Sequence, residues 1–286
     1  MIVVRARPAS RFRVFAAYPA AYWCILLGTI INGVATFVLP FETIYLTTVR
    51  GMAIEEAVLI VSLYGIGSCI AGLIGGVLAD TIGRRPVMLF GTLLLAITTV
   101  FLGFASVPWL IAALSFLYGF WTSTYRPAAN AAITDLIPNA QQSQANTLLY
   151  WGFNIGIAVS PLLASFMIRA AGFSLLFIAD AVGTLIFCGL VYFFVAESRP
   201  AVSAVVANTS LHPRQKRSEK RGVLHDGVFL SFVALVFAIA CLYFQSGSTM
   251  PVDMSLHGMN VGQYGLALTI NGLAVVVLTL PISRLF

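Results

Sequence analysis

Eight stretches of about 20 consecutive, mostly apolar residues recur along this chain, near positions 20–41, 57–79, 86–105, 108–130, 146–168, 172–195, 227–249 and 262–283. A helix of that length, rising ~1.5 Å per residue, crosses the roughly 30 Å hydrocarbon core of a bilayer. Backbone groups find no water there, so only helices and closed barrels can span it. A barrel is excluded, because its strands need only ~10 residues and alternate apolar with polar. Composition agrees: 59% of residues are hydrophobic and 9% charged, against roughly 25% charged in soluble domains. The mean hydropathy is +0.95. The fold class is therefore all-α integral membrane, a helical bundle of about eight transmembrane helices.

The bases set an orientation. Arg5, Arg7, Arg11 and Arg13 precede the first run, Arg84, Arg85 and Arg126 fall in or beside later connections on the same side, and Arg199, Arg214, Lys216, Arg217, Lys220 and Arg221 fill the longest one. Arg50 and Arg169 lie on the other side. Since cytoplasmic loops are enriched in Lys and Arg, residues 1–19 read as a cytoplasmic basic amino terminus and 197–226 as a cytoplasmic central linker. The net charge of +6 is thus a matter of topology. It calls for no nucleic-acid partner and makes anionic membrane lipid the expected neighbour.

Between the second and third runs stands Gly76-Val77-Leu78-Ala79-Asp80-Thr81-Ile82-Gly83-Arg84-Arg85. This resembles the signature loop between helices 2 and 3 of the major facilitator superfamily, G-x-x-x-D-R/K-x-G-R/K-R/K, with Thr81 standing where the family has a base. The resemblance implies a major facilitator type bundle: a six-helix half over 20–196, the linker, and helices 7 and 8 of a second half over 227–286. It also implies a bacterial inner-membrane location and a gating role for Gly76, Asp80, Gly83, Arg84 and Arg85, in which Asp80 meets the start of a helix 11. A weak internal repeat crosses the linker. Superposing Gly51 on Gly258 also superposes Tyr64-Gly65 on Asn271-Gly272 and puts Gly76 on Ser283. In that register the chain reads as shortened after helix 8, where a second signature turn is expected to begin.

Transport needs a polar path near the bilayer midplane, and intramembrane polar residues are functional candidates by default. Asn32, Asn154, Gln245 and Asn271 lie inside the first, fifth, seventh and eighth runs, which the resemblance implies face a central cavity. Each reads equally well as an interhelical hydrogen bond, worth about 0.6 kcal/mol. Phe37, Trp121, Tyr125 and Phe153 offer an aromatic lining suited to lipophilic or cationic substrates. Gly152, Gly156, Ser160 and Ala164 recur every four residues, a smooth stripe for close helix contact. With Pro161 they resemble the helix 5 motif of the drug:proton antiporters, G-x-x-x-G-P-x-x-G-G, Ser160 replacing the second glycine and Ala164-Ser165 the final pair. A second stripe of Ser68, Gly72 and Gly76 runs into the signature loop.

The arginine those antiporters carry on helix 4 falls here at Ser115, so their proton coupling does not transfer directly. Arg126, before Pro127, reads either as a substitute for that arginine or, in preference, as a phosphate or carbonyl anchor near the cytoplasmic interface. Proton-site candidates are Glu42 and Asp180, with Asp253 beside them. Glu42 and Asp253 are expected to be hydrated near helix ends, and Asp180 to make a structural hydrogen bond. Cys24, Cys69, Cys188 and Cys241 fall inside the runs without metal-ligand spacing and read as small packing residues. With His212, His225 and His257 scattered, no paired acids and no phosphate loop, an enzyme is not expected, nor any metal or cofactor. The function that follows is secondary active transport of a small molecule, by the resemblance proton-coupled efflux. The alternative is a shortened, non-transporting remnant or partial subunit. Substrate and oligomeric state are not legible.

Overall fold

The computed structural model describes residues 18–197, 227–245 and 249–282. The basic amino terminus, nearly all of the linker and the expected start of a second signature turn at Ser283 lie outside them. Every regular element among the described residues is helical.

Pro40 shapes the first span. Proline offers no N–H to the carbonyl four residues back and crowds it with its ring, so the helix yields around Thr36. The span is therefore two helices, α1 (Ala20–Val34) and α2 (Val38–Thr48). Groups freed at the break are satisfied by other helices. The Ser160 hydroxyl donates to the Thr36 carbonyl at 2.9 Å, and the Val38 N–H donates to the Asp180 carboxylate at 3.3 Å.

Gly51, at φ +64°, leads into α3 (Ile54–Thr81). Glu55 and Glu56 fall in its first turn, where the helix dipole favours negative charge. The helix continues through Gly76 and Asp80, so the turn expected from Gly76 to Arg85 narrows to Ile82 and Gly83, the latter at φ +114°. Then come α4 (Arg84–Phe104), α5 (Pro108–Leu136), α6 (Asn139–Ala171) and α7 (Ser174–Phe194). Pro138 bars α5 from continuing, because the residue before a proline is pushed out of helical geometry. Beyond the linker lie α8 (Gly227–Phe244), the short α9 (Met250–Leu256) and α10 (Val261–Ile282). The seventh span thus ends at Phe244, one residue before Gln245.

Counting α1 with α2 and α8 with α9, the bundle has eight crossings, as the sequence predicts. Seven are both long and apolar enough to cross a membrane. The exception, α5, has the length but is diluted by Ser115, Thr122, Ser123, Thr124 and Arg126. It lies along α3, backbone close to backbone. The internal repeat has a structural counterpart. Gly258, like Gly51, has a left-handed backbone, at φ +79°, and α10 starts at Val261 as α3 starts at Ile54, three residues on.

Small residues decide which helices touch. On α3 the buried face is Gly67, Ala71 and Gly75, not the expected stripe of Ser68, Gly72 and Gly76. A Cβ at Gly67 would run into the Phe116 carbonyl of α5, and one at Gly75 would stand 3.0 Å from the Thr124 carbonyl, whereas Gly72 and Gly76 face open space. Ser68 still meets Ser123 of α5 through their hydroxyls. The α6 stripe packs on α1: Gly152 faces Leu26 and Ile30, and Gly156 faces the backbone of Ile30, Gly33 and Val34. The opposite side of α6 receives α10, whose Gly265 meets Pro161 and Ser165 and whose Gly272 meets Ala158. The outer surface is apolar, as lipid contact requires, with Leu73 and Phe193 both 76% exposed. Cys69 and Cys241 belong to that surface, so the packing role expected of all four cysteines does not extend to them.

The two faces of α3 make opposite predictions. Gly67→Ala should cost about 1–3 kcal/mol through overpacking against backbone, while Gly72→Ala should be neutral or slightly stabilising. Thermal unfolding of the detergent-solubilised variants reads the difference, and equal effects would refute the Gly67 face.

Candidate functional site

Between the two sides of the linker lies a cavity of about 730 Å³. Thr36, Leu39 and Pro40 reach it from the broken first span, Val61, Ser62, Tyr64 and Gly65 from α3, and Asn154, Ile157, Ser160 and Pro161 from α6. Leu242, Tyr243 and Phe244 of α8 and Met250 of α9 complete one wall, and Tyr264, Leu268, Asn271 and Gly272 of α10 another. Prolines 40 and 161 both lie on this wall, where interrupted backbone is tolerated because it borders a cavity. The repeat-related pairs Tyr64-Gly65 and Asn271-Gly272 face the same space from different helices. No charged side chain belongs to the described lining.

One contact ties α10 to the break in the first span. The Tyr264 hydroxyl donates to the Pro40 carbonyl at 3.0 Å, and its ring meets Phe41 edge-on at 5.4 Å between centroids. Tyr264 is among the largest fully buried side chains. Ser165 of α6 donates nearby to the Val261 carbonyl at 3.3 Å.

Of the substrate-pathway candidates, Asn154 and Asn271 line the cavity. Asn154 also donates to the Tyr150 carbonyl one turn back at 2.7 Å. Asn32 does not line it. It is buried between helices, accepting from the Tyr125 hydroxyl at 2.6 Å and facing the Thr184 hydroxyl at 3.4 Å, an interhelical node joining α1, α5 and α7. Trp121 packs against the main apolar cluster, edge-on to Phe120. Gln245, expected within a helix, stands exposed in the turn after α8, its carbonyl accepting from Met250 N–H. The aromatic residues at the cavity that sequence alone missed are Tyr64, Tyr243, Phe244 and Tyr264. The repeat register carried the signal for Tyr64 through its match to Asn271.

The acids also differ from expectation. Glu42, expected to be hydrated, is 1% exposed. One carboxylate oxygen accepts from the Ser115 hydroxyl at 2.5 Å, and the other has no partner. Ser115 is the position where the antiporter pattern calls for arginine, so the sequence placed two halves of one contact without joining them. Asp180, 3% exposed, is held by the Val38 N–H and by the Tyr118 hydroxyl at 3.2 Å. It acts as the amino-terminal cap of α2, supplied from α7. Asp253 is exposed beside His257, as expected of a hydrated acid.

At the signature turn, Arg84 pairs with Asp135 at the end of α5 and donates to the Ala131 carbonyl at 3.1 Å. Its backbone N–H donates to Glu197 at 3.0 Å. Arg85 donates to the Tyr192 carbonyl at 2.6 Å and lies over the Tyr192 ring. Gly83 is required twice, by its positive φ and because a Cβ would stand 2.6 Å from the Glu197 carboxylate. The arginines therefore find partners within the first six spans. Asp80 is exposed and has no hydrogen-bond or ion-pair partner among the described residues. Among those residues no cluster of His, Cys, Asp or Glu is arranged to hold a metal.

Comparison with known proteins follows the same lines. The family profile described as Major Facilitator Superfamily matches residues 25–286. An uncharacterized MFS-type transporter of Bacillus subtilis, YqjV, is 29% identical over 91% of this chain and 63% of its own length. A Na(+), Li(+), K(+)/H(+) antiporter of Planococcus maritimus is 28% identical over 86% of this chain and 64% of its own. Among solved structures, a D-xylose-proton symporter superposes with a TM-score of 0.70 at 18% identity, covering 91% of this chain and 66% of that one, a likeness of fold. The chain spans under two thirds of the length of these relatives.

The cap supplied by Asp180 is open to test. Asp180→Ala removes the acceptor for two buried donors and is expected to cost about 1–3 kcal/mol for each donor left unsatisfied. Asp180→Asn keeps an acceptor oxygen and should cost clearly less. Thermal unfolding in detergent ranks the two, and equal losses would show that the hydrogen bonds are not what Asp180 contributes.

Proposed function

The chain belongs to the Major Facilitator Superfamily, and on that premise we propose that it is built for proton-coupled efflux of a small molecule by alternating access. The observation that carries the reading is the cavity. Helices from both sides of the linker line it, two of its walls are proline-interrupted, and its surface is apolar with scattered hydroxyls and amides. That is the character of a small-molecule site in which a few polar groups fix orientation.

Alternating access requires surfaces that can part. The α6–α10 contact is made of glycine, alanine, serine and proline, so it holds by close fit and can separate without unpairing charges. Tyr264 bonded to Pro40 would latch one end of the path. At the other end the signature turn, with Arg84 and Arg85 fixed and Asp80 unpartnered, keeps the gating role that the family resemblance assigns to Gly76, Asp80, Gly83, Arg84 and Arg85.

Proton coupling needs an acid that exchanges its proton in one state and is sealed in another. Glu42 fits, since it is enclosed with a single neutral partner, two residues from Pro40 on the cavity wall. Movement of the first span would change its access to water. Asp180 is committed to the α2 cap and does not fit. The antiporter named among the relatives lends support to coupling of this kind.

Proteoliposomes containing the chain and loaded with ethidium or carboxyfluorescein, dyes of opposite charge, test the reading. Wild type should move at least one dye in a protonophore-sensitive way. Glu42→Gln, which keeps an acceptor for Ser115, should lose the gradient-driven component at least tenfold while gradient-free exchange persists. If neither dye moves in a protonophore-sensitive way, proton-coupled efflux by this chain fails. If Glu42→Gln behaves as wild type, Glu42 is not the coupling acid.

A further inference from the structure

Arg126 is a charged group that proton coupling and gating leave without a task. Its guanidinium carbon stands 4.6 Å from the centre of the Phe153 ring. Tyr64, Tyr118 and Tyr125 lie within its electrostatic reach, Tyr125 also as a side-chain hydrogen-bond neighbour. Neither Arg126 nor Phe153 belongs to the cavity lining, but Asn154, next to Phe153 on α6, and Tyr64, within reach of Arg126, both do, which puts the cation beside the cavity. Its side chain is exposed rather than sealed in the bundle. No carboxylate pairs with it among the described residues, where the ion pairs are Arg84 with Asp135 and His257 with Asp253.

A guanidinium within a membrane bundle is costly, and one that no carboxylate neutralises is open to an anionic partner that comes and goes. The planar fork of an arginine matches the two oxygens of a carboxylate. Its position over Phe153 also argues against the other charge class. The aromatic face that a cationic substrate would use is occupied by the protein's own cation, which in addition repels such a substrate.

We propose that Arg126, with Phe153 and Asn154 beside it, is an anion-recognising subsite, and that the molecule carried is an organic anion. Its carboxylate or similar oxyanion meets Arg126, and its apolar body fills the cavity walled by α6, α8 and α10. This rests on reading the cavity as the substrate path.

Equilibrium binding to the purified full chain in detergent, with radiolabelled 4-phenylbutyrate, its methyl ester and 4-phenylbutylamine, separates the two levels. The carboxylate should bind at least tenfold tighter than the ester or the amine. Arg126→Gln should abolish that preference, and Arg126→Lys should leave an intermediate one. If Arg126→Gln does not yield a helical, monodisperse protein, Arg126→Lys and Phe153→Leu carry the test, each reducing the preference at least threefold. An ester or amine that binds as tightly as the carboxylate would overturn the anion subsite and leave the cavity reading standing. A preference for the carboxylate that survives Arg126→Gln would also overturn the subsite. Failure of all three probes to bind would overturn both.

Discussion

The architecture depends on how the broken first span satisfies its backbone. In hydrocarbon an unpaired N–H or C=O has no water to turn to, so a helix interrupted at Thr36 by Pro40 must borrow its partners. It borrows them from two helices, α6 through Ser160 and α7 through Asp180. Those bonds lock α1 and α2 against α6 and α7, and Tyr118 ties α5 to the same carboxylate. Breaking the helix thus becomes a reason for three others to assemble around it, and the break ends up facing the cavity.

Small residues then set distance. Helix α6 lies between two partners and meets each with a different face, Gly152, Gly156 and Ser160 toward α1, and Ala158, Pro161 and Ser165 toward α10. The first contact joins helices on the same side of the linker and carries the Ser160–Thr36 hydrogen bond. The second crosses from one side of the linker to the other and carries the longer Ser165–Val261 bond at 3.3 Å. On α3 the close-packing glycines are one residue out of step with those that look outward.

Charge is distributed as sparingly as the membrane demands. The two arginines at the signature turn are paired or bonded to carbonyls, and Asp180 is absorbed in a cap. Glu42 and Arg126 are different. One carboxylate oxygen of Glu42 is unpartnered inside the bundle, and Arg126 stands at the cavity margin without a carboxylate.

The sequence by itself determined the fold class, the positions of the spans and the family. Run length and apolar content are local and have a single physical solution in a bilayer, and the Gly76–Arg85 spacing is a local pattern that carries the family resemblance. It also determined the repeat, since Gly51 and Gly258 demand the same left-handed turn. Only the tertiary structure decided the roles of particular polar residues. Asn32 and Asn154 look alike in sequence, yet one faces Tyr125 and Thr184 between helices and the other faces the cavity. Glu42 looked like a helix-end acid because its position along the chain is near one, and its enclosure depends on Ser115, 73 residues away. A residue's helix and depth follow from its place in a run. Its azimuth, and therefore what it touches, follows from which neighbouring faces are small enough to approach, a property of pairs of helices that no single run contains.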